Sequence, residues 1–124
     1  MLEAVIDTNF LMLARQFHID IFGGLSELLG SYKAVTCEGV VRELQGLSSE
    51  KGGDSAAAKY ALKMLKMREV EVKSSAGEVD EWVLEYCAKK GAVACTVDKE
   101  LVEKLKKGGV RVVVLRGKSR LQFA

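Results

Sequence analysis

Short, nearly continuous apolar runs alternate along this chain with longer stretches in which apolar residues recur every three or four places. Leu2, Ala4, Val5 and Ile6 form the first run, stopped by Asp7-Thr8-Asn9, a combination suited to starting a helix. Helical spacing follows over Phe10–Gln16 and again over Ile19–Leu29, closed by Gly30. Ala34–Cys37 predicts a second strand and Glu38–Leu47 a third helix, ended by the polar stretch Ser48–Gly53, the segment best suited to move. Asp54-Ser55 is expected to cap a long helix reaching about Met67, ahead of a weaker strand over Val70–Val72. Gly77–Lys90 is helical again and stops at Gly91. A strand over Ala92–Val97, a helix over Asp98–Lys107, the stop Gly108-Gly109 and a β-branched strand over Val110–Leu115 complete the pattern.

Apolar strands alternating with helices imply a parallel sheet covered on both faces. The expectation is a single three-layer α/β/α domain over residues 1–124, with a central, mostly parallel sheet of about five strands and a basic tail over 116–124. In such sheets ligands bind beyond the carboxyl ends of the strands. Residues directly after a strand are therefore the first to inspect.

Composition refines this picture only at the margins. The 124 residues suit one core. No apolar stretch approaches the roughly 20 residues needed to span a bilayer, and the first residues lack the basic start and apolar run of a secretory signal. A cytoplasmic location without a membrane partner is expected. Cys37, Cys87 and Cys95 contain no C-x-x-C pair and are accompanied by one histidine, which does not suit structural zinc. They are expected to be reduced, buried and apolar in role. That histidine, His18, reads as a helix-terminal or loop residue rather than a ligand. A net charge of +2 demands no polyanionic partner, but Lys104, Lys106, Lys107, Arg111, Arg116, Lys118 and Arg120 crowd the last fifth of the chain. Such an end suits phosphates as well as water.

The acids are more telling. Asp7 and Asp98 each follow a strand directly, where aspartate caps a helix or serves a ligand site. On the third helix, the angular count sets Glu43 beside the Val40–Leu44 stripe, so it needs Arg42, Lys51 or a bound cation as partner. The same count places Asp80 within the stripe formed by Val79, Trp82, Val83, Leu84, Tyr86 and Cys87, with Glu81 on the opposite face. Carboxylates at about 4 Å repel by on the order of 4 kcal/mol per pair at an effective dielectric near 20. Protonation or cations must relieve that charge. With no cysteine or histidine among them, the donors favour Mg²⁺ or Mn²⁺ over zinc, and such ions suit phosphodiester cleavage.

These segments resemble the PIN-domain family of ribonucleases. Val5-Ile6-Asp7-Thr8-Asn9 resembles its opening strand with the first acid, and Val40-Val41-Arg42-Glu43-Leu44 the helix with the second. The stretch from Val79 to Ala88 is similar to the helix with the third, and Ala94–Leu101 to the strand end where threonine or serine stands two residues before the fourth. The resemblance spans essentially the whole chain. It implies metal-dependent endoribonuclease cleavage of single-stranded RNA by an activated water. It implies Asp7, Glu43, Asp80 and Asp98 as metal-holding catalytic residues, with Asn9 and Thr96 orienting them. Many relatives carry a second aspartate where this chain has Glu81, which makes Glu81 a candidate outer-shell ligand. Arg111, Arg116, Lys118 and Arg120 are candidate RNA contacts.

Two branches of the family compete. The basic stretch after the last strand is similar to the rRNA-processing branch, so that role, with an rRNA precursor and a ribosome-assembly partner, is expected ahead of a toxin silenced by an antitoxin. A homodimer through exposed helices such as Ala56–Met67 suits either. Outside catalysis, the chain could serve as an RNA-binding ribosome-assembly factor on the same fold. A phospho-acceptor domain fits poorly, because its acids would cluster rather than scatter over strands and helices.

Overall fold

The computed structural model describes residues 1–124. It contains β1 (Glu3–Ile6), α1 (Thr8–Gln16), α2 (Ile21–Leu29), β2 (Lys33–Cys37), α3 (Glu38–Ser48), α4 (Gly53–Met67) and β3 (Glu71–Lys73). These are followed by α5 (Val79–Lys90), β4 (Val93–Cys95), α6 (Lys99–Lys107), β5 (Val112–Arg116) and β6 (Arg120–Phe123). One six-stranded sheet has the order β3-β2-β1-β4-β5-β6. The first five strands are parallel, and β6 returns antiparallel to β5.

Strand alternation divides the core between the two faces. Ala4 and Ile6 face a cluster with Phe10, Leu25, Leu44 and Ala58 from α1–α4, while Val5 faces Val83, Cys87, Leu101 and Leu105 from α5 and α6. Large side chains buried this fully, such as Phe10 and Leu44, each contribute about 1.5–3 kcal/mol relative to exposure. The chain leaves β1 towards β2 and leaves β4 towards β5, on opposite sides. The topological switch point therefore lies between β1 and β4, where crevices form in open α/β sheets.

Four local expectations need correction. The stretch 116–124 is not a tail: Arg116 pairs with Arg120 and Val113 with Phe123, which makes the sheet six-stranded rather than about five-stranded. The Leu121/Gln122/Phe123 alternation behind a turn at Gly117 (φ 63°) is a hairpin signal that the density of charge obscures. The helix expected from Ile19 begins at Ile21, because His18 turns left-handed (φ 53°) and Asp20 caps Gly23 N–H at 2.9 Å. Asp54 and Ser55 do not cap α4. Gly52 stands at that position, while the Ser55 hydroxyl donates to the Ser48 carbonyl at 2.9 Å. The strand expected over Ala92–Val97 pairs only over Val93–Cys95, since after the Thr96 N–H bond to the Val113 carbonyl the N–H groups of Val97 and Asp98 turn to the Asn9 and Thr96 side chains.

Both sheet edges are protected. β3 is three residues long, and its Glu71 is clasped by Lys33 and Lys73, which hold the carboxyl down to about pKa 2. At the other edge α2 packs on β6. A Cβ on Gly24 would lie 2.8 Å from Leu121 Cδ1, so glycine permits that approach. The three cysteines are buried and free. No helix is long and apolar enough to cross a membrane.

Candidate active site

Asp7 and Asp98 stand at the ends of the adjacent strands β1 and β4, and both cap the helices that follow. Asp7 Oδ1 accepts from Thr8 N–H at 2.8 Å, and Asp98 Oδ1 accepts from Glu100 and Leu101 N–H at 3.0 and 3.2 Å. Thr96 joins them. Its hydroxyl, wholly buried, donates to Asp7 Oδ2 at 2.9 Å and accepts from Asp98 N–H at 3.2 Å. Asn9 does not touch a carboxylate. Its Oδ1 accepts from Val97 N–H at 3.3 Å and lies 3.4 Å from the Thr96 hydroxyl, which fixes the turn between β4 and α6.

The other two acids reach this crevice from α3 and α5. Glu43 is exposed rather than set in an apolar stripe, since Val40 and Leu44 take the buried positions and Glu43 falls at their margin. Its partner is neither Arg42 nor Lys51 but the Thr8 hydroxyl, which donates to Oε1. Asp80 is half-buried in the first turn of α5. A reciprocal clasp sets the start of α5 against that of α3: Ser75 Oγ accepts from Gly39 N–H, and Glu38 Oε1 accepts from Ser75 N–H, both at 3.0 Å. Gly39 allows the contact, because a Cβ there would stand 2.8 Å from Val79 Cγ2. Between the two helices lies an open cleft of about 470 Å³ lined by Arg42, Glu43, Glu78 and Asp80.

The acids perturb one another. Burial raises the Asp7 carboxyl to about pKa 6, against the pull of its bonds from Thr96 and Thr8, with Asp80 and Glu43 adding to the rise. Asp80 is also raised, first by burial and then by Asp98 and Glu43, with Lys104 opposing. As the side chains stand, no three acidic, histidine or cysteine groups converge tightly enough to cage a cation unaided. A small hard ion is ordinarily held by one or two carboxylates, with water and substrate phosphate completing its shell. Each Asp7 oxygen keeps a lone pair beyond its single hydrogen bond. Hard oxygen donors with unrelieved negative charge therefore fit Mg²⁺ or Mn²⁺.

The remaining candidates divide. Glu81 is exposed and absent from the cleft lining. Arg111 lies at the opposite, amino edge of the sheet: its carbonyl accepts from Ala94 N–H, and its guanidinium sits 5.9 Å from the Phe123 ring centre. Arg116, Lys118 and Arg120 occupy the β5–β6 turn, at the carboxyl edge shared with the acids. Thr96 N–H is level with the Val113 carbonyl, so the three further residues to Arg116, at about 3.3 Å each, extend the hairpin roughly 10 Å past the strand ends. Thr8 and Ser75 also hold this arrangement without standing out in the sequence as candidates; only Thr8 carries a signal there, as a hydroxyl directly after the first acid. His18, at the end of α1, borders hollows beside α2 and the hairpin that contain none of the four acids.

Comparison with known proteins places this geometry among relatives. A family model described as a PIN-like domain matches residues 4–118. The chain is 38% identical over 119 residues to Ribonuclease VapC9 of Archaeoglobus fulgidus, covering 95% of this chain and 86% of the relative. Its fold is similar to the PIN domain endonuclease Utp24 (TM-score 0.81, 22% identity, covering 98% of this chain and 90% of that one). It is also similar to a domain of a functionally unknown protein from Methanocaldococcus jannaschii (TM-score 0.67, 13% identity, covering 94% and 93%).

Proposed function

The chain belongs to the PIN-like domain family, and on that footing we propose that it is a metal-dependent ribonuclease acting on single-stranded RNA as the toxin of a toxin–antitoxin pair. The observation that carries the chemistry is the crevice between β1 and β4, where Asp7 and Asp98 share Thr96, Asp7 feels Asp80 and Glu43, and Asp80 feels Asp98 and Glu43. The toxin role takes precedence over the rRNA-processing role expected from the basic end. The relative at 38% identity is a VapC ribonuclease, whereas the likeness to Utp24 at 22% supports the fold alone.

In this reading Asp7, Glu43, Asp80 and Asp98 hold the divalent ion, directly or through water. The ion supplies charge neutralisation and a water of lowered pKa. The chain supplies position. Thr8 N–H and the Thr96 hydroxyl fix both oxygens of Asp7, the Thr8 hydroxyl fixes Glu43, and the α6 cap fixes one oxygen of Asp98. The α6 cap takes only Oδ1, so the second Asp98 oxygen stays free of it. The overhanging turn with Arg116, Lys118 and Arg120 supports an electrostatic contact to the RNA backbone.

The reading is tested by incubating the purified chain with mixed single-stranded RNA in Mn²⁺, in Mg²⁺ and in chelator. Cutting is expected with metal only. Asp80→Asn is expected to slow it by on the order of tenfold or more, while Glu81→Gln leaves most of it. The reverse ranking would overturn the assignment of the third acid, and absence of cutting with intact folding would overturn the enzyme. For the biological role, induced expression in a bacterial host is expected to halt growth, and Asp98→Asn to relieve the arrest. Unimpeded growth alongside metal-dependent cutting in the tube would favour rRNA processing instead.

A further inference from the structure

Arg42 stands one residue before Glu43 on α3 and is the only basic side chain lining the cleft shared by Glu43, Glu78 and Asp80. With three carboxylates around it, an arginine is expected to pair, yet none of the ion pairs in the structure includes Arg42. Nor do any of the side-chain hydrogen bonds: Glu43 is held by Thr8, and Glu38 by Ser75. A guanidinium left free in an acid-lined cleft keeps its planar fork for an incoming group that accepts two parallel hydrogen bonds. Phosphate is the group that fits.

The sheet order gives this arginine a place on a substrate path. α3 follows β2 on one flank of the β1/β4 crevice, and the basic β5–β6 turn stands on the other. We infer that Arg42 is a substrate-contacting residue that grips a backbone phosphate of the RNA on the α3 side of the acids. The strand then crosses the sheet edge from Arg42 to the turn bearing Arg116, Lys118 and Arg120. Acids alone would repel each phosphate entering the cleft, and a fixed cation beside them offsets that repulsion at the point of entry. This inference rests on the ribonuclease reading above.

The test uses the full chain carrying Asp7→Asn, which removes cutting, and a short fluorescein-labelled polyuridine RNA. Binding is followed by fluorescence anisotropy at fixed Mg²⁺ and rising KCl. Adding Arg42→Ala is expected to weaken binding by on the order of tenfold at low salt, and to reduce the slope of log affinity against log salt by about 0.7. Adding Arg42→Lys is expected to keep the slope. In the cutting-competent chain, Arg42→Ala is expected to raise KM, and Arg42→Lys to recover only part of the loss because the fork is gone. Arg42 is exposed on a helix, so alanine there is expected to leave the melting temperature unchanged, and that is checked in the same preparations. An unchanged salt slope together with unchanged cleavage in Arg42→Ala overturns the contact while leaving the nuclease standing. If the chain with Arg42 intact neither binds nor cuts RNA, the ribonuclease reading fails and takes this inference with it.

Discussion

Asp7→Asn is expected to abolish RNA cleavage and, in the same preparation, to make the metal-free protein harder to unfold. The two effects share one cause. Asp7 is only 6% exposed, and its carboxyl is raised from 3.8 to about 6, chiefly by burial. The folded state therefore holds this proton more tightly than the unfolded chain does. Below pH 4 both states are protonated and nothing is lost. Stability then falls as pH rises from about 4 through about 6, and above that range the folded state carries the full penalty, about 3 kcal/mol at 1.36 kcal/mol per unit.

Asparagine removes the charge at little structural cost. It is as good a helix cap as aspartate, and the Thr96 hydroxyl can turn to accept from its amide while donating to Asn9 Oδ1. Urea unfolding in chelator checks this. The wild type is expected to lose stability between pH 5 and pH 8, while Asp7→Asn stays nearly flat and is the more stable of the two at pH 8. Millimolar Mn²⁺ should restore the wild type, since an ion bound only by the folded state stabilises it, and leave the variant little changed. A variant less stable than wild type at every pH would reduce Asp7 to an ordinary cap.

Thr96→Val is expected to produce the largest loss among residues that carry no charge. Valine matches the shape of threonine but leaves Asp7 Oδ2 and Asp98 N–H without their partner. Loss of a buried partner costs about 1–3 kcal/mol for each group left unsatisfied. Misplacing the acids it orients should lower cleavage by roughly 10- to 100-fold. Thr96→Ser, which keeps the hydroxyl, should recover most of the rate. Denaturant midpoints and initial rates on one RNA check both statements; serine failing where valine fails would point to packing of the methyl group instead.

The parallel sheet and the strand-end position of Asp7 and Asp98 were legible because both rest on local pattern: an apolar run, then a capping acid. Asp80 was legible for the same reason, its helix stripe being interrupted by a single carboxylate. Glu43 stood out as a charge at the edge of an apolar stripe, but its surroundings did not, because an angular count ranks directions around a helix without fixing what covers them. The clasp of Ser75 on Gly39 and Glu38 and the bond from Thr8 to Glu43 span 35 to 37 residues, and nothing in the local sequence announces such pairs. The hairpin at 116–123 was hidden by composition, since a dense run of basic residues reads as a tail until the alternation of Leu121 and Phe123 is weighed against it.

The crevice is stitched across an unusually long stretch of chain. Asp7 and Thr96 are 89 residues apart, and β1 meets β4 only through that distant pairing. Closing so long a loop comes at an entropic cost before any contact rewards it, and such pairings form late. During synthesis β1, α1, α3 and α5 are made ahead of Thr96 and Asp98, so the growing chain carries three acids of the four without the framework that aims Asp7. On the ribonuclease reading, cutting is therefore expected only once Thr96 and Asp98 have been made and β4 has docked beside β1, late in synthesis or after it.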